Sequence, residues 1–339
     1  MSMESEGAAP TDAISARDAR REAQALVGHD FEARVLEPSP PAVTDEWFAD
    51  DPLAAGDVHT GLLTPLAGAG ITWDEWLADH AEHTEFVRDR WLGAYTRLGS
   101  PPPYFGETRA ALHRLALYVL SPARRRVNGK IGLRFSLAGF GTPFFGDDEQ
   151  VRVAGTRLVR QQGGTARVEP VTTLRRAAEL ALGRAPDDTE APPDAPALGN
   201  VDEEVALDPA AAAFLAAWYG FAFSVLEALR ADAESTDGGR VQLWPEHFDA
   251  SFECLADAQR RRATFGASPG DRDHPDPYLY VTPWYIDDAP DDGRWNATGF
   301  RGAVLALSEL SELSELADAA DQRAAALAFF RDRRAVLAG

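Results

Sequence analysis

The sequence predicts an α+β fold of two lobes, each built from helices and an antiparallel sheet. Some segments have apolar residues at the spacing of an amphipathic helix. Short segments next to them alternate apolar and polar residues, which is the pattern of half-buried strands. A proline-rich acidic stretch separates two such sets of segments. The chain has 339 residues, and single cores stop growing at roughly 250 to 300 residues, so two lobes are expected.

The first predicted element is a flexible acidic extension over residues 1–45, where Ala, Pro and charged residues dominate. The first lobe is predicted over 46–183. Thr72 and Glu75 have the spacing of a capping box, which predicts a helix from Trp73 to about Leu98.

A second helix is predicted over Glu107–Leu120, because its apolar residues form one stripe. Ser121 and Pro122 have the residue types of a new N-cap and first helical position. Apolar side chains alternate with polar ones from Lys130 to Leu137, which predicts a half-buried strand. The rest of the first lobe is predicted as a bulged turn at 139–146, strands at 151–153, 156–160 and 166–169, and a helix at 173–182.

Residues 184–207 are predicted to form a linker, since four prolines lie among acidic residues without a periodic apolar pattern. The second lobe is predicted over 208–339. Asp208 and Pro209 are typical of a helix start, and the apolar spacing that follows predicts a long, deeply buried helix. Strands are predicted at 240–244, 248–255 and 278–284, with helical structure from 300 onward.

Two short segments favour an internal duplication. Gly129–Arg134 and Gly239–Trp244 share the order glycine, basic, β-branched, variable, leucine, and each follows a predicted helix and precedes predicted strands. We therefore interpret the two lobes as a degenerate repeat of one unit, which predicts that Lys130 and Arg240 occupy equivalent positions.

The charge excludes one class of partner. The chain has 33 Lys and Arg against 54 Asp and Glu, a formal net charge of −21. Such a protein repels phosphate backbones, so we expect no nucleic-acid partner. Lys130 is the single lysine, and either salt adaptation or coding bias accounts for this composition.

Other patterns bear on location and cofactors. The sequence has no basic segment followed by an apolar one at its start, and no apolar run of membrane-spanning length. We therefore expect a cytoplasmic protein without a membrane partner; protein partners are left open. Cys254 is the single cysteine, so neither a disulfide nor a Cys-x-x-Cys metal motif is available, and we predict no metal and no cofactor.

The candidate catalytic residues lie on the predicted strand around His247. Strand alternation would place His247, Asp249 and Glu253 on one face. A histidine and a carboxylate two residues apart can share a proton, or offer ligands to a divalent ion. The alternative is a solvated sheet face with a local hydrogen bond.

The candidate ligand-binding residues combine aromatic and polar side chains, as small-molecule pockets do. Tyr278, Tyr280 and Trp284 would share one face of the next strand, and Trp244 lies near His247 in sequence. Arg134 would add a positive charge from the first lobe. The alternatives are tryptophans that fill the core and an arginine on a solvated face. The predicted set is Arg134, Trp244, His247, Tyr278, Tyr280 and Trp284.

The chain resembles an uncharacterised family of high-GC bacterial proteins over roughly His59 to Trp284. The resemblance implies that its segments belong to one fold, and it transfers no activity, cofactor or catalytic residue. The segments are GKIGLR (129–134), GFGTP (139–143), LWPEHFD (243–249), FGASPGD (265–271) and PYLYVTPW (277–284).

Two functions follow from these patterns. The first is binding of a small molecule between the two lobes. The second is a hydrolase-type enzyme, with or without metal assistance, in which His247 is the general base, Asp249 orients it, and Glu253 or Asp271 is a second carboxylate. Because the sequence contains no recognisable activated nucleophile, binding is the preferred prediction.

Overall fold

The computed structural model describes residues 97–339 with short gaps, together with Ala81. The predicted extension over 1–45 lies outside the described residues, and so does the predicted helix Trp73–Leu98 apart from Ala81, Arg97 and Leu98. Ala81 has a 3-10 helical conformation, whereas Arg97 and Leu98 are not helical. The gaps are residues 137, 144, 146–148, 163–164, 190, 193–194, 240, 257–260, 286–292, 313–318 and 339.

The described part of the first lobe begins with one long helical run. Helix α1 (Phe105–Leu115) continues through a π-helical turn (Ala116–Leu120) into α2 (Ser121–Asn128). The predicted N-cap at Ser121 is wrong, since Ser121 has helical dihedrals and makes no capping bond. The π-helical turn lies directly before Pro122, where the missing N–H and the proline ring interrupt regular α-helical hydrogen bonding.

Ten strands and four further helices complete the described part of the chain. The strands of the first lobe are β1 (Arg134–Ser136), β2 (Gly139–Gly141), β3 (Gln150–Ala154), β4 (Arg157–Gln162) and β5 (Thr165–Pro170). The second lobe has β6 (Gln242–Trp244), β7 (Asp249–Leu255), β8 (Arg262–Ser268), β9 (Tyr278–Pro283) and β10 (Ala303–Ala306). The helices are α3 (Leu174–Leu182), α4 (Pro209–Ala231), α5 (Leu307–Glu312) and α6 (Ala319–Ala338).

The strands form two antiparallel sheets that confirm the predicted α+β class. Each sheet has five strands in chain order, β1 to β5 in one and β6 to β10 in the other. A helix precedes each sheet and another follows it. The sequence predicts a bulged turn at 139–146 and helical structure from 300 onward, and these predictions are wrong where β2 and β10 form. Strand β8 has no counterpart in the prediction.

Among the described residues, the two sheets meet edge to edge at one bridge. The amide of Leu133 donates to the carbonyl of Leu243 at 2.7 Å, and the amide of Leu243 donates back at 2.9 Å. Leu133 and Leu243 also hold the same place in the two segments predicted to be duplicated, and a two-fold relation brings equivalent residues together in this way. The duplication stays a prediction, because Arg240 lies outside the described residues.

One helix covers both sheets. Helix α4 packs against β1 and β2 of the first sheet and against β7 and β8 of the second, and its Trp218, Tyr219 and Phe221 are fully buried. Within the described residues, α4 is the helix that is long and apolar enough to cross a membrane, and 78% of its apolar window is buried inside the protein. It is therefore the central core helix, as the sequence predicted.

The proline-rich stretch between α3 and α4 lies on the first lobe. Tyr118 donates to the carbonyl of Pro196 at 2.5 Å, and the amide of Val205 donates to the carbonyl of Thr172 at 2.8 Å. Val205 is buried in the common hydrophobic core. These contacts hold the stretch against the helices beside it.

Removing the N-cap of α4 should lower the free energy of unfolding by about 1 kcal/mol. The carboxylate of Asp208 accepts from the amide of Ala211 at 2.8 Å, and Asp208→Ala would leave that amide without its cap. Urea unfolding measures the effect. Asp208→Asn keeps an acceptor and is the matched control; equal losses in both variants would contradict this assignment.

Candidate functional site

The joined sheets have an apolar face and a polar face. Leu243 and its cross-strand neighbours Ala250, Ala267 and Leu279 are fully buried and lie on the side of α4. Because side chains alternate along a strand, Gln242 and Trp244 point to the opposite face. Arg134 points the same way, since its neighbour Leu133 pairs with Leu243.

The polar side chains closest to the bridge form what we call the seam site. Gln242 pairs with Ser251, and Trp244 pairs with Asp249. Ser251 pairs with Gly266, which pairs in turn with Tyr280. The seam site consists of Arg134, Gln242, Trp244, Asp249, Ser251 and Tyr280.

Four of the six seam-site side chains are deeply buried despite their polarity. Arg134 is 1% exposed and Asp249 is 4% exposed, while Gln242 and Ser251 are each 3% exposed. This overturns the alternative in which Arg134 lies on a solvated face. Polar groups in such a place need hydrogen-bond partners, because burial without them is costly.

Asp249 is the most unusual member of the seam site. The Tyr280 hydroxyl donates a hydrogen bond to its Oδ2 atom, and its Oδ1 atom is buried with no hydrogen-bond partner among the described residues. Burial raises the pKa of Asp249, and the hydrogen bond from Tyr280 opposes that rise. A buried acceptor without a hydrogen-bond partner costs free energy and therefore needs an explanation.

The position of the Tyr280 ring depends on Gly266. Its ring lies over Gly266, where a Cβ atom would overlap the ring. The ring also meets that of Phe300 edge-on at 6.3 Å and that of Tyr278 at 6.1 Å. Burial raises the pKa of Tyr280 well above its usual value, so the phenol keeps its proton and remains a donor.

Asp271 positions the neighbouring Tyr278. Its Oδ1 atom accepts the amides of Asp273 and His274 at 2.7 and 2.8 Å, and its Oδ2 atom accepts the Tyr278 hydroxyl at 2.6 Å. Burial would raise the pKa of Asp271, but the hydrogen bonds, that from Tyr278 first, outweigh it and lower the pKa. Asp271 therefore ties the loop between β8 and β9 to the first residue of β9.

An arginine from the first lobe fastens the same loop. Arg109 on α1 donates from Nη1 to the carbonyls of Pro275 at 2.7 Å and Pro269 at 3.2 Å. Gly270 lies between them with a φ of 100°, and a Cβ there would overlap Arg109 Nη1. Sequence reasoning missed Arg109, because a single arginine on a helix gives no signal of bonds made 160 residues away.

His247 does not share a strand face with Asp249, and this prediction is wrong. Strand β7 begins at Asp249, and Phe248 before it has a φ of 57°, which breaks the alternation. His247 lies exposed in the turn between β6 and β7. No hydrogen bond joins it to Asp249 in the part of the chain that the structure describes.

A different histidine holds that turn. His113 on α1 lies with Nε2 2.9 Å from the carbonyl oxygen of Pro245, and its ring stacks on Phe248 at 5.0 Å. The hydroxyl of Tyr219 donates to the carbonyl of Phe248 at 2.8 Å. Burial lowers the pKa of His113 to about 4, so at neutral pH the ring is uncharged and can donate from Nε2–H.

Glu253 and Trp284 lie at the other end of the polar face, away from the seam site. Arg262 contacts both: its Nη1 is 3.5 Å from Glu253 Oε1, and its guanidinium lies 5.3 Å from the centre of the Trp284 ring. Trp284 is 52% exposed. Of the predicted ligand-binding residues, the structure thus groups Arg134, Trp244 and Tyr280, with Tyr278 beside them.

A groove separate from the seam site lies between the lobes, next to the β6–β7 turn. Pro245 and Glu246 line it from the turn, and Tyr118 and Arg125 line it from the helical run of the first lobe. None of the seam-site side chains lines this groove. It is therefore a feature separate from Asp249.

The donor atoms of the seam site suit hydrogen bonding better than metal binding. Among the described residues, no group of three or more His, Cys, Asp or Glu side chains is placed to hold a metal ion. Comparisons with protein-family models, curated proteins and solved structures give no match to this chain.

Proposed function

We propose that the protein binds a polar small molecule at the seam site, between its two lobes. The observation that carries the proposal is the Oδ1 atom of Asp249, a buried acceptor without a hydrogen-bond partner among the described residues. A ligand hydroxyl or amine that donates to this atom would remove the cost of leaving it unpaired.

The other seam-site groups support recognition of a small molecule. Trp244 and Tyr280 offer ring surface together with polar tips, and Gln242 and Ser251 offer both donors and acceptors. Arg134 comes from the first lobe and the rest from the second, so a ligand at the seam site would contact both sheets. Few, convergent polar groups beside aromatic ones are the usual lining of such sites.

The hydrolase-type alternative has less support. It requires His247 as general base with Asp249 orienting it, and a general base must lie within hydrogen-bond reach of its partners. His247 is on an exposed turn, while Asp249 is bonded to Tyr280. Metal assistance gains no support from the described side chains, and binding without turnover remains our proposal.

A thermal unfolding screen tests the proposal. We expect at least one member of a millimolar panel of polyols, sugars, hydroxy acids and amines to raise the Tm of the full chain, because ligands that bind only the folded state stabilise it. At a concentration of about 100 times Kd, the gain is about 2.7 kcal/mol.

Two variants decide whether the effect arises at the seam site. Asp249→Asn should lose the shift, because it exchanges a carboxylate oxygen for an amide nitrogen and weakens the acceptor. Glu253 lies on the same polar face, at the end far from the seam site, so Glu253→Gln should keep the Tm shift. A panel without any stabilising compound, or an equal shift in Asp249→Asn, would overturn the proposal.

A further inference from the structure

Asp249 brings a carboxyl group into the seam site without a positively charged partner. Its side chain is 4% exposed, and its Oδ2 atom accepts from the Tyr280 hydroxyl, which is a neutral donor. In the part of the chain that the structure describes, no arginine, lysine or histidine forms an ion pair with it. Because a buried carboxylate without an ionic partner costs far more free energy than a buried neutral group, a cation would stabilise Asp249 more than a neutral donor would.

The Oδ1 atom of Asp249 indicates which kind of cation fits. It is a buried acceptor with no hydrogen-bond partner among the described residues, so it suits a cation that carries N–H donors. A primary ammonium combines a compact positive charge with three such donors. A quaternary ammonium has the charge but no N–H group, and would leave the Oδ1 atom without a hydrogen bond.

Two aromatic side chains adjoin Asp249 and also favour a cation. Trp244 on β6 is its direct cross-strand partner and is half-buried. Side chains paired in this way have Cβ atoms about 5 Å apart. Tyr280 reaches the same carboxylate from β9, two strands away. The faces of such rings attract cations, and the indole ring of tryptophan does so most strongly.

Gln242 lies close enough to Asp249 for one small molecule to contact both. The two residues are on neighbouring strands and two positions apart in register, so their Cα atoms are about 8 Å apart. Gln242 is 3% exposed, and no hydrogen bond among the described residues uses its side-chain amide. Because that amide can both donate to and accept from a hydroxyl, a short molecule with an ammonium at one end and a hydroxyl at the other fits this spacing.

We infer that the ligand of the seam site is a small amino alcohol, whose ammonium group donates to Asp249 beside Trp244 and whose hydroxyl bonds to the amide of Gln242. This inference rests on the proposed function and adds the chemical class of the ligand. The net charge of −21 attracts cations to the protein as a whole.

The positive charge of Arg134 lies at the hydroxyl end of this arrangement. Arg134 is opposite Gln242, on the side away from Asp249, and its Cα atom is roughly 12 Å from that of Asp249. Its Nε atom donates to the carbonyl of Phe135 at 2.9 Å. The ammonium is therefore next to the carboxylate, and no contact with the guanidinium of Arg134 is required.

Calorimetric titration of the full chain with four matched probes at about pH 7.5 tests the inference, since simple amines are protonated at this pH. Ethanolamine should bind at least about tenfold more tightly than ethylene glycol, in which a hydroxyl replaces the amine. Choline keeps the charge and the hydroxyl without N–H donors, and should bind about tenfold more weakly than ethanolamine. Ethylamine lacks the hydroxyl and should bind about fivefold more weakly.

Four variants locate the ligand. Asp249→Asn should weaken ethanolamine binding about tenfold or more. Trp244→Leu should weaken both ethanolamine and choline about fivefold, because it removes the ring beside the cation. Trp284→Leu is the matched control, since Trp284 is 52% exposed at the far end of the polar face and should affect neither probe. Gln242→Met should weaken ethanolamine about fivefold and leave ethylamine unchanged.

The outcomes separate this inference from the proposed function. If ethylene glycol binds as tightly as ethanolamine and Asp249→Asn abolishes binding of both, the cation is wrong and the binding function stands. Equal affinities for choline and ethanolamine would show that N–H donors are not recognised, and equal affinities for ethylamine and ethanolamine would show the same for the hydroxyl. If none of the four probes binds, the inference is overturned, and the wider thermal screen alone decides the binding function. These comparisons use the wild type, so they hold where a variant fails to fold.

Discussion

Replacing Gly266 by alanine should lower the free energy of unfolding by about 3 kcal/mol and displace Tyr280 from Asp249. The added Cβ would overlap the Tyr280 ring, which is enclosed by Phe300 and Tyr278 and so has little room to move. If the ring moves, Asp249 loses its donor at Oδ2 while it remains buried. Urea unfolding gives the stability change, and tyrosine fluorescence or NMR reports the ring.

Two other glycines provide matched controls for Gly266. At Gly238 the nearest atoms to an added Cβ are 3.6 Å away, an ordinary contact, so alanine there should change stability little. At Gly106, within α1, nothing lies within 4 Å of an added Cβ, and alanine should stabilise by about 0.5 to 1 kcal/mol. If Gly266→Ala behaves like Gly238→Ala, the position assigned to Tyr280 is wrong.

Acidification should remove up to about 3 kcal/mol of stability through His113. The pKa of this side chain is lowered by burial from 6.5 in the unfolded chain to about 4 in the folded protein. A base with a lowered folded pKa contributes its full stability above pH 6.5. That contribution is lost as the pH falls from 6.5 to about 4, because the unfolded chain takes up the proton first.

Urea unfolding of the wild type and of His113→Gln between pH 7.5 and pH 4 measures this loss. The variant should be less stable than the wild type at pH 7.5, because the stacking on Phe248 and the contact with Pro245 are altered. The difference should shrink as the pH falls, since glutamine does not titrate. The raised pKa of Asp249 acts with the opposite sign and is common to both proteins. Parallel pH profiles would contradict the prediction.

The elements predicted well are those with local signals. The cap residue Asp208 and the apolar spacing after it predict α4, and short β-prone segments around a Gly-Gly hairpin signal predict β3, β4 and β5. Strand β2 is absent from the prediction because glycine usually weakens a strand. A Cβ atom at Gly139 or Gly141 would overlap the neighbouring strand β3, so only glycine fits at these two positions. Such fits depend on tertiary packing, which a local pattern does not contain.

The seam site was predicted only in part, because some of its geometry depends on tertiary packing. Strand alternation placed Asp249 correctly relative to its own strand and Tyr278 relative to Tyr280. The left-handed backbone of Phe248 removed His247 from that face, and a non-glycine residue gives no sequence signal for this conformation. Arg109 and His113 act across the lobe boundary, where the sequence offers no spacing rule.

The bridge between Leu133 and Leu243 has a mechanical consequence. Proteins that close around a ligand like a clamshell need a boundary that can open, with a hinge of a few residues. Here a single helix, α4, lies across both sheets, and opening the boundary would expose two leucines from a shared core. The two lobes should therefore move as one body, and a ligand would have to reach the buried seam site through local motion of side chains or loops and not through opening of the lobes.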